Sequence, residues 1–167
     1  MDADLDPVAS LKDEHETVRR VLKDLYALLK ELGSASPESR KNDLLARLDD
    51  ITVFMDKDLE IHFKEEEDAL FPVLGKYIGL ETGPIHVMFI EHEHCRGLSA
   101  GFKAVIDDFR NAVDYDCRTI ISAGNSFGAL LSEHIDKEDH ILFNMADMQL
   151  SPGEKQNISA KMETIKQ

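Results

Sequence analysis

Two segments of this chain repeat a histidine, a glutamate and a phenylalanine at the same intervals. His62, Glu66 and Phe71 form one set, and His134, Glu138 and Phe143 the other. A glutamate four residues after a histidine lies just over one helical turn away, so imidazole and carboxylate leave the same helix face toward one point. A shorter repeat precedes each set: Glu14-His15-Glu16 with Arg19, and Glu91-His92-Glu93 with Arg96. The order is His, His-x3-Glu, His, His-x3-Glu. Four imidazoles and two carboxylates suit iron, manganese or zinc without any thiolate. A single zinc ion is saturated by four ligands, whereas six fit a pair of ions, with two histidines on each and Glu66 and Glu138 bridging both. Every ion then keeps an open position for water, oxide or a small molecule. Buried without a cation, these groups would carry a large desolvation penalty, which metal binding removes.

The elements that must position this set are helices. Leu11, Val18, Leu22, Leu25, Leu28 and Leu29 recur at helical steps, predicting an amphipathic helix over Val8–Leu32 after a short tail at residues 1–7. Gly33 stops it, and Ser36-Pro37 supplies an N-cap and a first-turn proline for a second helix. That helix should run to near Leu74, where Pro72 and Gly75 mark its end, and it is long enough to contain an irregularity. A glycine-rich loop leads to a third helix from Pro84 to about Val113, and Asp116 is placed to cap a fourth reaching about Met148. Ser151-Pro152-Gly153-Glu154 has the capping-box pattern and opens a short fifth helix. No strand-like alternation competes. The expected fold is all-α: an antiparallel up-down four-helix bundle over residues 8–148, with a short extra C-terminal helix in 149–167. His15 to His62 spans 47 positions and His92 to His134 spans 42, so each half is a helical hairpin and a pseudo-twofold axis would bring all six side chains to the centre.

Around the six, the helical wheel sorts the neighbours. Glu67 and Asp68 turn away from the His62–Glu66 face toward solvent. His94 is about 200° from His92, His140 points elsewhere, and His86 reaches the site only if the helix start at Gly83-Pro84 is irregular. Val18, Leu59, Phe89, Cys95, Leu131 and Phe127 should wall a narrow apolar pocket. Cys95, three residues after His92, is a thiol that a redox metal can oxidise, although core filling is its favoured role. Glu65 and Lys137 occupy matching positions in the two repeats and read as surface ion-pairing residues.

Composition narrows the class. With 43% hydrophobic and 31% charged residues the chain reads as one soluble globular domain, and no apolar run approaches the ~20 residues a membrane span needs. A formal charge of −14 opposes nucleic-acid binding, which requires clustered Lys and Arg. Cys95 and Cys117 are too few for a disulfide framework and are expected as reduced thiols. The acidic start lacks the basic and apolar regions of a secretory signal, so a cytoplasmic location is expected.

Together, Leu11-Lys-Asp-Glu-His15, His62-Phe-Lys-Glu-Glu66-Glu-Asp-Ala-Leu-Phe-Pro72, Gly83-Pro-Ile-His-Val-Met-Phe-Ile-Glu-His92-Glu-His-Cys-Arg96 and His134-Ile-Asp-Lys-Glu138-Asp-His-Ile-Leu-Phe143 resemble the hemerythrin-like, or HHE cation-binding, domain family. The resemblance implies a four-helix bundle around a non-haem di-iron centre with an oxo- or hydroxo-type bridge. It makes His15, His62, His92 and His134 terminal ligands and Glu66 and Glu138 bridges, with manganese or zinc as substitute ions. The chain departs from oxygen-carrying hemerythrins in having Met88 and Arg96 four residues either side of His92, where a second third-helix histidine would stand. In the fourth helix it places Glu138 at i+4, immediately before an aspartate, Asp139, at i+5. Its ligand set looks more like that of di-iron iron–sulfur repair proteins, which carry an extra cysteine-bearing N-terminal domain. The expected function is binding or reduction of oxygen, nitric oxide or peroxide at the metal pair, with an electron donor if there is turnover. The alternatives are an iron- or oxygen-sensing or metal-storage module, or iron–sulfur centre repair.

Overall fold

Apolar residues at three- and four-residue steps bury one face of helix α1 (Pro7–Ser34), and His15 lies within that stripe. The computed structural model describes residues 6–34 and 37–167, so the Ser36 cap and most of the 1–7 tail lie outside the described residues. The second predicted helix is a chain of segments. A 3-10 turn at Pro37–Arg40 leads into α2 (Lys41–Phe54), a π-helical turn Met55–Leu59, α3 (Glu60–Lys64), a π-helical turn Glu65–Leu70, and α4 (Phe71–Ile78). The expected irregularity is therefore two widened turns. The predicted end near Leu74 is too early, because Pro72 falls in the first turn of α4, where its missing N–H is tolerated. The chain leaves the helix at Gly79, whose φ of +86° is a left-handed conformation that glycine adopts without strain.

α5 (Pro84–Asn111) follows Gly83, and α6 (Arg118–Lys137) runs through a third π-helical turn, Glu138–Leu142, into α7 (Phe143–Gln149). Asp116 Oδ1 accepts the Arg118 N–H at 3.0 Å. The capping box forms as expected: the Glu154 N–H donates to Ser151 Oγ at 3.3 Å, the Ser151 N–H donates to the Glu154 carboxylate at 2.9 Å, and α8 (Pro152–Ile165) begins there.

The architecture is an all-helical bundle with no strand among the described residues. α1 packs on α2 and α6, and α5 packs on the same two, while α8 lies against α1 and the Glu65–Leu70 turn. No described helix is long and apolar enough to cross a membrane. Buried apolar side chains form two clusters. One gathers Leu25, Leu48, Phe63, Phe102, Phe127 and Leu131. The other gathers Leu11, Leu70, Phe71, Phe143, Ile158 and Met162, so α8 contributes to it.

Candidate metal centre

Helical spacing puts His62 beside Glu66 and His134 beside Glu138, and the bundle brings both pairs to His15 of α1 and His92 of α5. All six predicted ligand residues are buried, none more than 2% exposed. His15 Nε2 and His62 Nε2 are 3.1 Å apart, as are His92 Nε2 and His134 Nε2. Glu66 sets Oε1 3.4 Å from His62 Nε2 and Oε2 3.2 Å from His92 Nε2. Glu138 sets Oε1 3.3 Å from His134 Nε2 and Oε2 3.2 Å from His15 Nε2. Each carboxylate thus offers one oxygen to each histidine pair. The result is two groups able to hold a cation, His15/His62/Glu66/Glu138 and Glu66/His92/His134/Glu138, sharing both glutamates.

Behind the rings, every Nδ1 meets a carboxylate. His15 meets Asp139 at 2.8 Å, His62 meets Glu14 at 2.7 Å, His92 meets Glu67 at 2.7 Å, and His134 meets Glu91 at 2.9 Å. An ionised carboxylate only accepts, so in the neutral ring the proton sits on Nδ1 and Nε2 turns a bare lone pair inward. Sequence reasoning missed these four acceptors. Glu67 was expected in solvent; a residue next along a helix turns by about 100°, and here that turn carries Glu67 to α5. The signal was present in the repeats: Glu14 and Glu91 immediately precede His15 and His92, and Glu67 and Asp139 immediately follow Glu66 and Glu138.

The donor set fits metal. All four oxygens of Glu66 and Glu138 are buried with no hydrogen-bond donor. Two bare imidazole nitrogens facing one another at 3.1 Å would repel, and a cation held by both would remove that repulsion. Without a cation the pair of carboxylates is strained electrostatically. Burial, then the Glu138 charge, pushes the Glu66 carboxyl well above its ordinary range. Burial opposes the ionised form of Glu138 too, but His134, His15 and His92 outweigh it and hold that carboxyl down to about 2. Burial likewise disfavours the protonated rings of His62 and His92 and lowers both, whereas Asp139 and Glu138 overcome burial at His15 and raise it.

Three phenylalanines wall the site. Phe63 stacks on His92 with ring centroids 4.0 Å apart, Phe71 lies 5.9 Å from His92, and Phe143 stacks on His15 at 5.2 Å. Phe71 and Phe143 are the repeated residues nine positions past each histidine; Phe63 has Ile135 as its counterpart. Of the six residues expected as the wall, Val18, Leu59, Cys95, Leu131 and Phe127 sit in the first apolar cluster, and Phe89 packs against the second. Only Val18 and Leu59 line the cavity of about 270 Å³ that reaches His62. This cavity differs from the narrow apolar pocket expected, since it also carries Glu14 of α1, Asp58 and Glu65 of the two π-helical turns, and Lys166.

Burial pushes the Cys95 thiol up to about 12, which keeps it protonated at neutral pH. His86, His94 and His140 are exposed and stand outside the site. The surface role expected for Glu65 is overturned, since its side chain is fully buried beneath Lys166 Nζ, 3.1 Å from Oε1. Lys137 keeps an ion pair, with Glu91.

A family model described as the hemerythrin HHE cation binding domain matches residues 6–146. No curated protein matches the chain.

Proposed function

The chain belongs to the hemerythrin HHE cation-binding domain family, and we propose that it is a non-haem di-iron protein that binds or reduces a small ligand, namely oxygen, nitric oxide or peroxide. In this reading His15 and His62 hold one iron, His92 and His134 hold the other, and Glu66 and Glu138 bridge them within an up-down four-helix arrangement. The observation that carries it is the sharing of both glutamates between two four-residue groups, one oxygen to each histidine pair. A single-ion site would leave half of these buried donors unsatisfied.

When bound, the metal pair supplies the redox and ligand-binding chemistry, and manganese or zinc can replace iron without supplying the same redox chemistry. The protein's own residues fix the geometry. Glu14, Glu67, Glu91 and Asp139 keep each histidine in the tautomer whose Nε2 faces inward. Phe63, Phe71 and Phe143 exclude water from the imidazole faces, and the burial of all six donors favours a ligand of few atoms. Turnover would draw electrons from a separate donor, and a cytoplasmic location accords with two free thiols.

Anaerobic titration with iron(II) should give about two ions per chain, and Glu66→Ala or Glu138→Ala should lower that number. Adding oxygen to the diferrous protein then separates a carrier, which forms an adduct reversed under vacuum, from a protein that oxidises or turns over its ligand. At most one ion per wild-type chain, or unchanged binding in both variants, would defeat the proposal.

A further inference from the structure

The four carboxylates behind the histidines are themselves held by cations. Arg19 Nη2 lies 2.6 Å from Asp139, Arg96 Nη1 lies 3.0 Å from Glu67, and Lys137 Nζ contacts Glu91. These three follow the internal repeat, since Arg19 and Arg96 stand four residues past His15 and His92, and Lys137 stands three past His134. The position three past His62 should by the same logic hold a lysine for Glu14. It holds Glu65 instead, which would repel Glu14 rather than steady it. The missing cation comes from elsewhere: Lys166, the residue that ends α8, sets Nζ 3.0 Å from Glu14 Oε1 and 3.1 Å from Glu65 Oε1. α8 lies beyond the residues the family match covers.

We propose that Lys166 is a positioning residue of the metal centre: from α8 it supplies to Glu14 the ammonium that Lys137 supplies to Glu91, and so holds Glu14 on His62 Nδ1. Two features fix its place. Ile158 and Met162 anchor α8 in the second apolar cluster, and α8 packs against both segments that carry the carboxylates, α1 and the Glu65–Leu70 turn. Lys166 is also what keeps two adjacent carboxylates compatible with one another beside a buried imidazole, because Glu65 is fully buried and Glu14 is mostly so. Without the ammonium, Glu14 loses the cation that holds it in place, and the His62 ring loses the partner that orients its Nε2. The effect should be confined to the His15/His62 half.

This inference rests on the two-ion reading above, and the test separates the two. Wild type and variants are titrated anaerobically with iron(II) against a coloured competing chelator, with the melting temperature of each apo-protein as a folding control. Loss of a residue that orients a metal-binding histidine costs 10- to 100-fold in metal affinity. Lys166 acts one contact further out, so Lys166→Met should weaken one of the two ions by about tenfold and spare the other, while Lys166→Arg stays near wild type. Adding Glu65→Lys to Lys166→Met should recover most of the loss by restoring the arrangement found at Lys137. Wild-type affinity for both ions in Lys166→Met, equal weakening of both ions, or no recovery in the double variant would overturn the inference. A wild-type chain that takes fewer than two ions would instead refute the reading of the centre itself.

Discussion

Glu67 stands one residue past Glu66 but serves other partners: its Oε1 accepts from His92 Nδ1 at 2.7 Å and from Arg96 Nη1 at 3.0 Å. Replacing it by alanine should weaken iron(II) binding by about 10- to 100-fold, whereas Asp68→Ala, at an exposed position, should leave the titration unchanged. Equal titrations for the two variants would show that the Nδ1 contact does not orient His92. The six candidate positions were legible because the i to i+4 spacing of His62–Glu66 and His134–Glu138 is a property of one helix, readable without a fold. The acceptors were not, because each serves a histidine on a different segment; Glu14 holds His62, and Glu67 holds His92. Only the halves taken together carried the hint, in the acidic residue standing beside the same ligand twice. Glu65 misled for the same reason, since its partner Lys166 lies about a hundred residues downstream.

At the scale of elements, apolar periodicity located the helices, and the capping box at Ser151–Glu154 formed as its sequence demanded, whereas the N-cap of α6 is Cys117 and not Asp116. The widened turns at Glu65–Leu70 and Glu138–Leu142 were not legible in position, because no residue type encodes an i→i+5 turn. They coincide with Glu66 and Glu138, where such turns are common at functional sites. Close approach between helices was also hidden. A Cβ on Gly124 would stand 2.8 Å from both Leu29 methyls and 3.2 Å from Phe102 Cε2, all in the packed core. Alanine in place of helical glycine gains about 0.5–1 kcal/mol, and overpacking a core costs about 1–3 kcal/mol, so Gly124→Ala should lose about 1 kcal/mol in urea unfolding. A Cβ on Gly128 meets Tyr26 instead, which is 40% exposed and free to swing outward. Gly128→Ala should therefore be neutral or gain up to about 1 kcal/mol. The reverse order of the two variants would show that helix propensity, not contact between α1 and α6, governs α6.

For the molecule as a whole, the centre is a liability without a cation, because the four carboxylate oxygens of Glu66 and Glu138 are buried with no donor to satisfy them. Metal affinity is then folding energy. Free iron(II) at a hundred times its dissociation constant adds about 2.7 kcal/mol per site, which for a domain of this size raises the melting temperature by about 5–10 °C per site, and a chelator should reverse the gain. Glu66→Gln separates the two contributions, since it keeps volume and removes the charge. Burial and Glu138 raise the Glu66 pKa in the folded apo-protein, so the folded state holds its proton more tightly than the unfolded chain does. Wild-type apo-protein therefore loses stability as pH rises from the ordinary carboxylate range toward that raised value. The glutamine variant escapes this loss, and its advantage in apo melting temperature should grow as pH rises through the same window. With metal the order inverts: the variant should forfeit most of the iron-induced rise, having lost a charged donor shared by both groups. A glutamine variant that melts below wild-type apo-protein across that window while keeping the full iron-induced shift would mean that Glu66 is a packing residue and no bridge.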